Sequence, residues 1–217
     1  MTLKIRVDDF PGTKPEEFDK HNLESYKEFH QCLVDTYGMR YTLGVIPGYT
    51  SPEDLKWLAT QDISVALHGI VHSEGHLDEF HGQHLPTIEP AIFAAKRYLE
   101  RYNTHFRVYE YIPPHNTINK DTILALYRCG FKHVFGGPET SDKMKIQMSG
   151  LLNYIHSEPP LEYGRSDELM ERGAVEYLKE ECKKRTVWLT LHSPWEINIG
   201  LDSLKEFMNQ LGEANVF

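Results

Sequence analysis

The sequence predicts an α/β fold built on a parallel sheet, and three observations carry that prediction. Short apolar runs alternate along the whole chain with segments whose apolar positions fall at helical spacing. The length of 217 residues suits one α/β domain with a sizeable core. No low-complexity linker, fixed-period repeat or composition break divides the chain, so residues 1–217 read as a single domain. Seven strands alternating with helices imply a parallel sheet closed into a barrel, with an open doubly wound sheet as the rival. Both architectures gather their chemistry at the carboxyl ends of the strands.

Each element has its own justification. Leu3–Asp9 is the first strand, and Pro15 to about Tyr37 a long helix with Phe18, Leu23, Tyr26, Phe29 and Leu33 at helical spacing. Tyr41–Ile46 is the second strand, closed by Pro47-Gly48. Ser51-Pro52-Glu53-Asp54 supplies an N-cap, a proline at the first helical position and an acidic first turn for a helix reaching about Ala59. Ile63–Leu67 is the third strand, and a polar loop from Gly69 to Pro86 follows it. The helix Ile88–Tyr102 places Ile92, Ala95 and Leu99 on one side. Phe106–Ile112 is the fourth strand, cut off by Pro113-Pro114, which can continue neither a ladder nor a helix interior. Asn119–Cys129 is helical and Gly130 ends it. Lys132–Phe135 is the fifth strand, Gly136–Gly150 an irregular stretch with room for a hairpin, and Leu151–Ile155 the sixth strand. Glu158–Arg165 reads as loop, and Asp167 to Lys184 as a helix weakened in its middle by Gly173. Val187–Leu191 is the last strand and Leu201–Leu211 the last helix.

Composition narrows the partners. A formal net charge of −9 argues against nucleic acid and anionic membranes, both of which reward clustered Lys and Arg. The cationic run Lys183-Lys184-Arg185 sits at a helix end, where it complements the helix dipole. Cys32, Cys129 and Cys182 are far apart, odd in number and in no C-x-x-C spacing, which suits reduced, structural thiols. No apolar run approaches the ~18 residues of a membrane span. The N-terminus runs straight into a strand without a signal-peptide pattern, so the expected location is the cytoplasm. The oligomeric state stays open.

The strand ends concentrate ionisable groups. The first strand ends in Asp8-Asp9, the third in His68, the fourth in Pro113-Pro114-His115-Asn116, the sixth in His156 and the seventh in His192-Ser193-Pro194. Each has a bland reading: Asp-Asp before Phe10-Pro11-Gly12 as turn chemistry, each histidine as a packing or loop residue. Jointly they are harder to dismiss, because a packed core has no reason to gather such groups at one end of a sheet. Adjacent side chains on a regular strand face opposite ways, so Asp8 and Asp9 reach one site only if the pleat breaks there. His68 and His72, four apart, can serve one metal if the backbone curls between them. With one aspartate they form a two-histidine, one-carboxylate set that leaves positions open, the mark of a catalytic rather than a structural site. Such ligands suit one divalent ion, zinc first, but also cobalt, nickel or ferrous iron. Tyr49, Tyr163 and Trp195 lie in loops on that side, where they could stack on a ligand or pack the loops; His76, His81 and His84 read as solvated loop residues.

Val7-Asp8-Asp9, then His68-x-x-x-His72, a proline-rich fourth strand end, and Leu189-Thr190-Leu191-His192 resemble, in order, the motifs of the polysaccharide deacetylase (NodB-homology) family. The resemblance implies a distorted (β/α)7 barrel and a metal-dependent hydrolase that removes N-acetyl groups from amino sugars. It implies Asp8 as general base, Asp9, His68 and His72 as metal ligands, His192 as general acid, and Pro114, His115 and Asn116 on the substrate side. A cytoplasmic glycan or surface-polysaccharide precursor is the expected substrate. Four departures mark a divergent member. Gly69 stands where the family has Ser or Thr, and Phe10 where it has Gly. The arginine that steadies the base is missing from Tyr111–Asn116. No clear Asp-Trp motif pairs with His192, Asp167 being a weak substitute. A barrel that binds metal and glycan without turnover stays open, as does a deformylase or cyclic-amide hydrolase on the same platform.

Overall fold

A computed structural model describes residues 2–12, 22–72, 78–102, 107–137, 139–156, 164–214 and 216. Its strands are β1 (Leu3–Phe10), β2 (Tyr41–Val45), β3 (Ser64–Leu67), β4 (Glu110–Tyr111), β5 (His133–Gly136), β6 (Asn153–His156) and β7 (Val187–His192). The helices are α1 (Leu23–Gln31), α2 (Pro52–Leu58), α3 (Leu85–Leu99), α4 (Lys120–Arg128), α5 (Asp142–Met148), α6 (Ser166–Glu171), α7 (Ala174–Glu181), α8 (Ser193–Ile199) and α9 (Asp202–Glu213). All seven strands belong to one sheet in the order β6-β5-β4-β3-β2-β1-β7. The ladders β1/β7, β3/β4, β4/β5 and β5/β6 are parallel. Each of β2 to β6 lies beside its predecessor and β7 lies beside β1, a cyclic order without the switch point of a doubly wound sheet. The fold is a distorted (β/α)7 barrel of parallel strands.

Cα proximity divides the chain into two compact units, residues 1–43 with 157–217, and residues 44–156. In the first, β1 and β7 form a ladder with two unlike faces. Leu3, Ile5 and Val7 pair with Val187, Leu189 and Leu191, all buried. The other face pairs Lys4 with Trp188, Arg6 with Thr190 and Asp8 with His192, and of these β1 residues Lys4 alone is exposed. Helix α1 starts on Asn22, whose side chain accepts from the Ser25 N–H at 3.0 Å, and residues 15–21 of the expected long helix lie outside the described residues. Its last part, Cys32–Thr36, is wound as a π-helix.

In the same unit the helix expected over Asp167–Lys184 is broken. Gly173 has a φ of +73° and separates α6 from α7, so it acts as a boundary rather than a weak point. Lys183, Lys184 and Arg185 follow α7 and pair with Glu180 and Glu181 at 2.8–2.9 Å. Ser193–Ile199 forms α8, where loop was expected, because Pro194 sits in its first turn and starts it.

In the second unit Ser51 and Asp54 form the capping box that starts α2. The fourth strand is shorter than expected. Phe106 lies outside the described residues, and the Val108 N–H goes to the Glu100 carboxylate at 3.0 Å instead of to a ladder. The stretch Gly136–Gly150 holds α5 rather than a hairpin, started by Ser141, whose hydroxyl accepts from the Met144 N–H. All three cysteines are free thiols, and burial pushes each of them up. Among the described residues no helix is long and apolar enough to cross a membrane.

Candidate metal centre

The polar face of the β1/β7 ladder becomes buried towards its carboxyl end. Arg6 is 2% exposed and Asp8 1%. Two residues apart on one strand, they share a face. The Arg6 Nε donates to both Asp8 carboxylate oxygens, at 2.8 and 3.0 Å, and Nη2 donates to Oδ2. Across the ladder, His192 is the partner of Asp8, and the Ser193 hydroxyl donates to the Asp8 carbonyl at 3.1 Å. The indole of Trp195 lies flat on the His192 ring, centroids 4.0 Å apart with 20° between planes. That stacking follows from the local fold: His192 caps α8, and Trp195 stands one turn further on.

Asp9 breaks the pleat. Its φ is +68° inside a strand that continues to Phe10, so the alternation that would send Asp9 away from Asp8 is interrupted at Asp9 itself. Left-handed backbone at residues other than glycine recurs at His72, His115 and Asn116, with φ of 50–53°. All four such residues among those described belong to the sequence-predicted site, and such backbone tends to persist where function needs it.

In the second unit His68 ends β3 with its Nδ1 2.9 Å from the Ile112 carbonyl. A carbonyl can only accept, so Nδ1 is the donor in this bond and Nε2 is the atom through which His68 would bind a cation. The turn to His72 is held from two sides. The Gly48 N–H donates to the Ile70 carbonyl at 2.7 Å. The Glu79 carboxylate accepts from the N–H groups of Ile70 and Val71 at 2.6–3.0 Å. Burial pushes the Glu79 carboxyl up, and these bonds pull it back. Gly69 is required there: its φ is +66°, and a Cβ would come within 2.7 Å of both Glu79 Oε2 and Pro114 Cγ. A Ser or Thr at this position has no room, and Glu79 supplies the acceptor that orders the turn. The rings of His68 and His72 lie 5.0 Å apart, and those of His72 and His115 4.9 Å, both edge to face.

Asp9, His68 and His72 each offer one ligand atom, and these atoms all lie within 4.8 Å of one another. The donor set fits a borderline divalent cation: two imidazoles, one already fixed in the required tautomer, and one carboxylate.

No protein-family model and no curated protein matches the sequence. Solved structures do. A candidate polysaccharide deacetylase from Mycobacterium smegmatis superposes with a TM-score of 0.72 at 17% identity, over 97% of this chain and 83% of its own. The fold is that of the polysaccharide deacetylases. A family 4 carbohydrate esterase from Streptomyces lividans, solved with acetate, gives 0.57 at 12% identity, over 98% of this chain and 89% of its own. A mutant of a family 4 pseudoenzyme with restored enzymatic activity gives 0.61 at 12% identity, over 99% of this chain and 63% of its own.

Within this deacetylase fold the remaining predicted residues have distinct surroundings. Pro114 is buried near Gly69. Asn116 is buried, its carbonyl accepting from the Thr140 hydroxyl at 2.8 Å and its amide reaching Glu139 at 3.4 Å. His115 is half-buried beside His72, and His156 meets the Tyr154 hydroxyl through Nδ1 at 3.1 Å. Asp167 gives its carboxylate to Arg165, in two bonds of 3.1 Å. His81 and His84 are exposed, whereas His76 and Tyr163 lie outside the described residues. Sequence reasoning passed over Arg6 and Glu79 and placed Trp195 in a loop. Arg6 had a signal, its two-residue offset from Asp8 on a strand, and so did Trp195, one helical turn beyond His192-Ser193-Pro194. Glu79 sits in a loop without periodicity and had none.

Proposed function

We propose that this chain is a divergent member of the polysaccharide deacetylase family, a single-domain metal-dependent hydrolase that removes the acetyl group from an N-acetylated sugar. The observation that carries this reading is the Asp9, His68 and His72 group, whose three ligand atoms lie within 4.8 Å of one another, a three-ligand set of the kind that would leave a tetrahedral cation one further position. Zinc is the cation we assign. Held there, it supplies Lewis acidity towards the amide carbonyl and towards water. Asp8 takes a proton from the water whose oxygen forms the new bond to the carbonyl carbon. His192 gives a proton to the nitrogen as the C–N bond breaks, so acetate and a free amine leave. His115, with Pro114 and Asn116 behind it, borders the substrate side. We place the protein in the cytoplasm, acting on a glycan or surface-polysaccharide precursor, which its three free thiols suit.

The test is zinc titration of metal-stripped protein, coupled to acetate release from N-acetyl sugars, sugar nucleotides and short glycans. One equivalent of zinc with zinc-dependent acetate release is expected. Stoichiometric zinc without acetate from any substrate would replace the reading with a metal- and glycan-binding barrel. That second reading draws support from the pseudoenzyme that shares this fold.

A further inference from the structure

We propose that Arg6 is the positioning residue for Asp8, supplying from β1 itself the guanidinium that the end of β4 lacks. The proposal rests on the deacetylase reading, since it concerns the group assigned there as base. Its warrant is the burial and geometry of the pair. A guanidinium is costly to remove from water, and a well-packed apolar residue at a buried strand position is often as stabilising or more so. Lys4, two residues earlier on the same face, stays exposed, so this face of β1 does not bury a cation at every position. Arg6 is nonetheless 2% exposed, and its rigid fork engages both oxygens of a carboxylate that is 1% exposed.

Such a fork does what a point charge cannot: it sets the plane of the carboxylate as well as its place. The Asp8 backbone is anchored as well, through the Ser193 hydroxyl on its carbonyl and the β7 ladder. The carboxylate is therefore aimed before any substrate arrives. Arg6 keeps its own protons throughout and touches no reacting atom.

Arg6→Lys retains the charge and removes the fork. With zinc-loaded protein, kcat should fall about 100-fold, the scale of a 1 Å misplacement, while KM stays within about two-fold of wild type. Zinc stoichiometry and affinity, measured by competition with a chelator, should not change. Asp8→Asn added to Arg6→Lys should lower kcat little beyond Asp8→Asn alone, because residues acting as a unit are not additive. Urea unfolding of the zinc-free single and double variants should show coupling between positions 6 and 8. If Arg6→Lys fails to fold, Arg6→Gln enters the same measurements. A kcat within two-fold of wild type, or zinc lost in step with kcat, would overturn the role of Arg6 and leave the deacetylase reading standing. A wild-type protein that releases no acetate would overturn that reading and the positioning role of Arg6 with it, while the unfolding coupling would still report the pair.

Discussion

The two units contribute chemistry by different constructions. The unit containing β1 and β7 presents Arg6, Asp8 and His192 from a regular ladder, where period-two alternation directs every side chain. The unit spanning residues 44–156 presents His68, His72 and His115 around turns, two of them in left-handed backbone, braced by Gly48, Gly69 and Glu79. Regular backbone aims side chains without help; irregular backbone needs a partner for each exposed amide and a glycine wherever a Cβ would collide. Damage to bracing should therefore be felt in the second unit, while the first should register only damage to side-chain identity.

The largest effects test the ligands and the base against each other. His68→Ala and His72→Ala should each abolish stoichiometric zinc binding and acetate release together. Asp8→Asn should keep zinc and lose about 10²–10⁴-fold in acetate release, the usual contribution of a positioned acid or base. If Asp8→Asn instead loses zinc, Asp8 is a ligand and the division of labour between the two aspartates fails.

A smaller effect is expected from bracing. Glu79→Gln and Gly69→Ser leave all three ligands in place, yet zinc affinity should drop by about 10- to 100-fold, as when outer partners of a metal site are changed. Gly69→Ser should also cost about 1–2 kcal/mol of stability from its left-handed backbone alone, measured by urea unfolding. Unchanged zinc affinity in both would show that the turn holds itself. Smaller again, Trp195→Ala should slow acetate release about ten-fold with zinc binding intact, since an aromatic stack is worth about 0.5–1.5 kcal/mol and holds the His192 ring in place.

The smallest effect on chemistry is a pH effect on stability. Glu196 on α8 is fully buried, and its carboxylate accepts from the backbone N–H and hydroxyl of Ser166 at 2.8 and 2.7 Å. Burial pushes it up to about 7, against an ordinary 4.5. The folded state thus holds this proton more tightly than the unfolded state. Its contribution is complete below the unfolded value and is lost as pH rises through about 7. Glu196→Gln cannot ionise, so the melting temperature of wild type should fall relative to this variant between pH 5 and pH 8. A constant difference would show that Glu196 stays ionised throughout.

The fold was legible because alternation and capping agree along the chain: the Ser51 cap and the Gly130 stop stand where the residues place them, and Asn119, read as the first residue of its helix, caps it. Errors arose where one residue outweighs a pattern, as at Gly173, or where a short helix carries little periodicity, as with α5 and α8. Asp8, Asp9, His68 and His192 were legible as strand-end residues, and the pleat break was required by the adjacency of the aspartates. Its place, at Asp9 itself, depends on the observed φ of that residue. Glu79 holds the turn at Gly69, Arg6 engages the Asp8 carboxylate and Trp195 stacks on His192. Two of these lie outside the motifs and the third in a helix the sequence reading missed, so motif-by-motif comparison could not find them.

The Asp8–His192 pairing in the β1/β7 ladder has an evolutionary consequence. Two residues in register on neighbouring parallel strands are separated by about 4.8 Å of main chain, a spacing maintained by hydrogen bonds that no connecting loop controls. The segments joining these strands can lengthen, shorten or change composition without altering that interval. Loop composition can therefore drift while the Asp8–His192 interval is kept, carried by the first and last of the described strands.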